Sequence, residues 1–150
     1  MRIVLQRVTE ASVTIEHKIH GKIDHGLLIL LGITATDTQE DINWLVNKIT
    51  GMRIFNDDAG KMNLSITDID GDILVVSQFT LFASTKKGNR PSFINAARPE
   101  IAVPLYENFL MTLSRKLHKN IPSGIFGADM KIALVNDGPV TIVMDSQNRE

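Results

Sequence analysis

No cysteine occurs in this 150-residue chain, which removes disulfide staples, thiol nucleophiles and thiolate metal sites together. Aromatic residues are scarce, with one Trp, one Tyr and six Phe. The longest apolar run, GLLILLGI at 26 to 33, is far too short to cross a bilayer. Charge of one sign is also missing: the formal net charge is −1, so the field of the whole molecule does not drive non-specific binding along nucleic acid, and any such contact is local. A continuous apolar stretch and a small-residue cleavage site are absent from MRIVLQRVTEASVTIE, whose alternation predicts a first strand instead of a signal peptide. A cytoplasmic location fits these absences.

What is present is ordinary for one domain spanning 1–150, with 43% hydrophobic and 22% charged residues. Strands are expected over Ile3 to Val8, Ala11 to Ile15 and Leu27 to Ile33, with HKIHGKIDHG at 17 to 26 as a hairpin connection. Asp37 and Glu40 resemble an Asp version of a capping box, opening a helix whose apolar face carries Ile42, Leu45, Val46 and Ile49. A short strand then leads into a turn at Asn56 to Gly60, and a second turn at Asp70 and Gly71 precedes the apolar run GDILVVSQFTLFAS.

Later, Ile101, Leu105, Phe109, Leu113 and Leu117 recur at four-residue steps, predicting a helix with Pro104 near its start. MKIALVNDGPVTIVMDS reads as a strand pair or as one strand broken at Asn-Asp-Gly-Pro. Hairpin-linked strands with two helices favour an antiparallel α+β domain.

Few polar groups form a recognisable catalytic set. His17 and His20 make H-x-x-H without a third ligand at suitable spacing, and Asp68, Asp70 and Asp72 lack the spacing of a calcium loop, so no metal site and no cofactor are expected. Ser77, Gln78 and Thr80 interrupt an apolar run, where an unpartnered hydroxyl or amide costs roughly 1–3 kcal/mol. Neither hydroxyl has a His or Lys beside it to act as base. Lys86, Lys87 and Arg90, with Phe93 behind them, make a basic and aromatic loop of the kind that holds phosphate and stacks on a base, or that is simply solvated.

Taken together, SQFTLFA at 77 to 83 and NDGPVT at 136 to 141 resemble the two signature motifs of the D-aminoacyl-tRNA deacylases. MRIVLQRV, MRIFNDDAGKMNLS, KKGNRPSF and GIFGADM are similar to that family as well, and the likeness runs from residue 1 to about 146. The resemblance implies a β-barrel-like antiparallel sheet with packed helices, acting as a homodimer on the acceptor end of aminoacyl-tRNA. It implies hydrolysis of the ester between a D-amino acid and the terminal ribose, with Phe79 and Thr80 offering backbone N–H groups and Ser77 and Gln78 shaping the polar wall. Gly138-Pro139 is implied to hold a cis peptide bond and to reach into the partner subunit's site, where it blocks an L side chain. Glycine has no side chain to block, so glycyl-tRNA is implied as a second substrate. Phe126 and Met130 are candidates to line the adenosine or acyl pocket or to pack in the core, and Lys86, Lys87 and Arg90 are candidate tRNA contacts. A related editing module that removes a wrong L-amino acid and a non-catalytic nucleic-acid-binding factor are the rival readings.

Overall fold

The computed structural model describes residues 1–149. A long first strand, β1 (Arg2–Ile15), lies at the centre of a curled sheet. The chain turns at Glu16 and His17, both at positive φ, and returns as β2 (Lys18–Ile23), which pairs with the distal half of β1. After a break at Asp24 and His25 it continues as β3 (Gly26–Gly32) along the proximal half. The expected connection at 17 to 26 is therefore mostly strand, because only its two ends carry turn conformations while Ile19, Gly21 and Ile23 take up the ladder.

Next in order are α1 (Gln39–Gly51), the short strands β4 (Phe55–Asn56) and β5 (Met62–Leu64), and β6 (Asp72–Ser77). This long excursion is a crossover, so β6 runs parallel to β3 in a sheet whose other pairs are antiparallel. The α+β, barrel-like architecture is as expected, with that one parallel pair added. Both β3 and β6 are covered on two sides and read as nearly continuous apolar runs. Ile29, Leu31, Ile73 and Val75 face the helices, and Leu28, Leu74 and Val76 face a second core closed by Val13, Ile23 and residues of the last strand. That last strand, β7 (Lys131–Asp145), pairs with β1 from Arg2 to Thr14.

Thr38, not Asp37, caps α1: its Oγ1 accepts from the N–H of Glu40, and Asp41 accepts from the N–H of Thr38 at 2.8 Å. Asp37 instead receives the Met1 ammonium and the N–H of Thr34. The expected apolar face of α1, Ile42, Leu45, Val46 and Ile49, is buried. In α2 (Pro99–Leu117) the buried residues are Ala102, Tyr106, Phe109 and Leu113, while Ile101 is 42% exposed. Steps of four drift around a helix of 3.6 residues per turn, so the strict four-residue stripe leaves the core and a mixed 4-3-4 spacing stays in it.

Candidate active site

Ser77 is the last residue of β6, and the N–H of Gln78 makes one further rung to the Leu31 carbonyl at 2.8 Å. There the chain leaves the sheet and winds into a single 3-10 turn, Phe79–Phe82. The apolar run GDILVVSQFTLFAS therefore stays strand only as far as Ser77, and the polar side chains mark where the ladder stops. Gly32 permits this fold-back, since a Cβ there would stand 3.0 Å from Leu81 Cβ and 3.1 Å from the Gln78 carbonyl oxygen. Gln78 Nε2 donates to Thr80 Oγ1 across the start of the turn. Among the described residues, the N–H groups of Phe79 and Thr80 have no protein acceptor, as is usual for the first donors of a helical turn. Two such donors, left free by the fold, are what a developing oxyanion requires.

Arg2 holds the far end of the turn. It donates to the Leu81 carbonyl at 2.8 Å, stacks 4.8 Å above the Phe82 ring and pairs with Asp145 at 2.9 Å. Burial pushes the Asp145 carboxyl up, but hydrogen bonds from Arg2 and Gln147 outweigh it and leave the group below its usual range. Sequence reasoning missed Arg2, because a polar residue alternating in a strand carries no signal of the contact it makes 79 positions away.

A hollow of about 250 Å³ opens beside the turn, and Ser77, Gln78, Phe79, Phe126 and Met130 all line it. Five predicted residues from two distant stretches therefore share one pocket wall. A larger hollow of about 490 Å³ lies between Trp44, Lys48 and the end of β7, but its Arg2 guanidinium is already engaged by Asp145 and Leu81. Phe79, which carries one of the two unengaged donors, lines the smaller hollow, and Thr80 follows it directly outside the lining, which makes this hollow the better candidate. Lys86, Lys87 and Arg90 are exposed on a loop pinned by paired Ser84 and Ser92 hydrogen bonds of 2.7 and 3.0 Å. None of the three enters an ion pair among the described residues. Phe93 ties this loop to the turn, its ring meeting that of Phe79 edge-on at 5.1 Å.

Gly138 and Pro139 are exposed and lie in β7, which is one strand and not two. The pairing passes from Val8 with Asn136 to Gln6 with Thr141, so Asp137 to Val140 bulge out opposite Arg7. Pro139 has no N–H to give a ladder, and the bulge spares it that demand. The Gly138-Pro139 peptide is cis. Gly138 has φ +116°, and a Cβ there would stand 2.8 Å from Arg7 Nη2. Arg7, 6% exposed, also donates to the Ile54 carbonyl at 2.6 Å. Neither Gly138 nor Pro139 lines the hollows that Ser77 lines, so one chain does not unite the two signature motifs.

Residues 4–145 match the family model described as D-Tyr-tRNA(Tyr) deacylase. Relatives named D-aminoacyl-tRNA deacylase are 62% identical in Flavobacterium johnsoniae and 63% identical in Bacteroides thetaiotaomicron, each over 100% of both chains. A solved structure described as a c-Myc DNA unwinding element binding protein is 42% identical, with a TM-score of 0.90 over 97% of this chain and 98% of that one. Another, described as a probable eukaryotic D-amino acid tRNA deacylase, shares the fold at 18% identity, with a TM-score of 0.83 over 95% of this chain and 97% of that one.

Proposed function

The chain belongs to the D-Tyr-tRNA(Tyr) deacylase family and is a hydrolase of aminoacyl-tRNA esters, and from that premise we propose that it edits chirality, cleaving D-aminoacyl-tRNA and sparing the L form. The observation that carries the reading is the pair of unpartnered N–H groups on Phe79 and Thr80, beside a pocket walled by Ser77, Gln78, Phe126 and Met130. The aminoacyl-adenosine end enters that pocket. Water attacks the ester carbonyl, negative charge grows on the carbonyl oxygen, and the two N–H groups receive it. The C–O bond to the ribose then breaks, and the ribose oxygen leaves with a proton. A neighbouring ribose hydroxyl positions the water, a role that DNA cannot supply.

Selectivity comes from exclusion. D and L esters carry the same groups, so preference requires a barrier against one of them. In this reading Gly138 and Pro139 of a partner subunit present backbone carbonyls to the α-ammonium region and leave no room for an L side chain. Glycyl-tRNA passes the same barrier and is hydrolysed. A homodimer is supported by the outer edge of β7, which among the described residues pairs only with β1 and leaves Val135 and Val143 50% and 64% exposed. Lys86, Lys87 and Arg90 meet acceptor-stem phosphates. The whole chain acts as one domain, in the cytoplasm where aminoacyl-tRNA is used.

The test is parallel hydrolysis of D-tyrosyl-tRNA and L-tyrosyl-tRNA by the purified protein. Loss of the D ester alone is expected. Cleavage of both esters defeats the exclusion argument, and cleavage of neither defeats the editing activity and favours a nucleic-acid-binding role.

A further inference from the structure

Tyr106 is the only tyrosine of the chain, and the chemistry above makes no use of it. It is buried on α2, with its hydroxyl donating to the Val75 carbonyl at 3.0 Å and lying 3.5 Å from that of Gly124. A buried phenol needs a partner, so the informative point is which partner it has taken. Val75 lies in β6, two residues before Ser77. Its N–H donates to the Pro122 carbonyl at 3.1 Å, and its own carbonyl accepts from the N–H of Gly124 at 3.0 Å. A short segment therefore covers the edge of β6 opposite β3, and Tyr106 bonds at that junction.

The same segment leads into the pocket wall. The Tyr106 ring lies 6.1 Å from the Phe126 ring at 60°. Gly124 leaves space for the Met130 sulfur, into which a Cβ at 124 would run. Beyond Gly124 the chain enters a turn closed by one backbone bond, Ala128 N–H to Ile125 carbonyl at 3.2 Å, with Ile125 47% exposed and Gly127 at φ +79°. So light a tether does not by itself fix Phe126 relative to Ser77.

Resting on the pocket assignment made above, we propose that Tyr106 is a positioning residue for the reaction: its hydroxyl anchors the side chain at the junction of Val75 with the Pro122–Gly124 segment, and its ring, so held, sets Phe126 against the aminoacyl-adenosine end. Burial pushes the hydroxyl up to about 12, so it stays a donor throughout the neutral range. Because Val75 keeps its bonds to Pro122 and Gly124 when the hydroxyl is removed, the fold survives that removal while the ring that packs on Phe126 loses its anchor.

The test is steady-state hydrolysis of D-alanyl-tRNA by Tyr106→Phe, with Phe126→Ala and the double variant alongside. Tyr106→Phe is expected to raise KM about 5-fold or more with kcat held within about 2-fold, the signature of lost binding. In the Phe126→Ala background it should raise KM no further, because the two residues act as one unit. If Phe126→Ala raises KM and Tyr106→Phe only lowers Tm or kcat, the hydroxyl is merely structural and the proposal fails. If Phe126→Ala leaves KM unchanged, the pocket assignment fails and the proposal with it. A second measurement needs no substitution: 19F NMR of protein labelled with 3-fluorotyrosine gives one resonance, from residue 106. Saturable movement of that resonance with 3′-(D-alanylamino)-3′-deoxyadenosine supports the proposal, and a resonance unmoved at saturation overturns it.

Discussion

Arg7 Nε stands 3.0 Å from Asp137 Oδ2, and the same guanidinium occupies the space beside Gly138 where any other residue would place its Cβ. The Nε–H is not directed at the carboxylate as a hydrogen bond, so the contact is an ion pair that braces the bulge instead of a bond that closes it. A buried cation on β1 thereby backs the exposed Gly138-Pro139 segment of β7.

Gly138→Ala tests the backing directly. The added Cβ meets Arg7 Nη2 at 2.8 Å and Val140 Cγ2 at 3.0 Å, at a φ of +116° that L residues rarely adopt. Strain of this kind costs about 1–3 kcal/mol. Urea unfolding should show that loss, and the ratio of D-tyrosyl to L-tyrosyl turnover should fall at least about 10-fold, equivalent to about 1.4 kcal/mol of discrimination. An unchanged ratio removes Gly138 from the selectivity argument.

Arg7→Met removes the cation and leaves the Ile54 carbonyl and Asp137 without it. Asp137 is 37% exposed and is partly screened, so the expected destabilisation is about 2–3 kcal/mol, below that of a fully buried pair. A double-mutant cycle with Asp137→Asn reads the coupling, and additivity of the two losses means that the pair does not brace the bulge.

At Thr80 the backbone and side-chain roles separate cleanly. Thr80→Ala removes only the hydroxyl that accepts from Gln78 and should keep kcat/KM within about 5-fold, since no base stands beside it. Thr80→Pro deletes the N–H and should lower kcat about 100-fold or more, as expected for a lost oxyanion donor. Near-complete loss in a folded Thr80→Ala protein identifies the hydroxyl as nucleophile instead.

For the loop, Lys86→Ala combined with Lys87→Ala should raise KM for full-length D-aminoacyl-tRNA and leave hydrolysis of D-aminoacyl-adenosine unchanged. The slope of log K against log salt should become shallower by roughly 0.7–0.9 per phosphate contact removed. Equal effects on both substrates place the lysines at the reacting end.

Acid sensitivity follows from Asp41 and Asp145. Burial raises Asp41, but hydrogen bonds from Ser146 and Thr38 outweigh it, so its folded pKa lies below the ordinary value of 3.8. Asp145 is lowered in the same sense, chiefly through Arg2 after its own burial is offset. A carboxyl with a depressed folded pKa contributes stability that is full above its unfolded pKa and is lost as pH falls through the folded one. Tm should therefore hold above about pH 5 and fall below about pH 4. Asp41→Asn should cost about 1 kcal/mol at pH 7, as a lost cap does, and the gap from wild type should close at low pH.

Much of this was legible in the sequence. The face of α1 followed from periodicity, and the motif residues Ser77, Gln78, Phe79, Phe126 and Met130 do meet around one pocket, with Thr80 outside its lining and tied to it through Gln78. What escaped was long-range or a matter of register. Asp37 matched a cap pattern, yet the amine it binds is 36 residues away, and the cap passed to Thr38. Ile101 fitted a four-residue stripe that the helix itself does not keep. Arg7 looked like any polar residue of an alternating strand, because nothing local records that Asp137 faces it.

The bulge in β7 also constrains the length of the chain. Four residues, Asp137 to Val140, stand opposite Arg7 alone, and beyond them Ile142 and Met144 point to the main core while Val143 points to solvent. Side chains alternate with a period of two, so one residue inserted or deleted there, with the bulge kept at four residues and the pairing beyond it slipped by one, would turn Val143 inward and Ile142 and Met144 outward. Substitutions around Gly138-Pro139 are thus a local matter, whereas a single-residue insertion or deletion that slips the pairing would reset the core contacts of the remainder of the strand. In a set of homologous sequences, this is the stretch where gaps should be rarest.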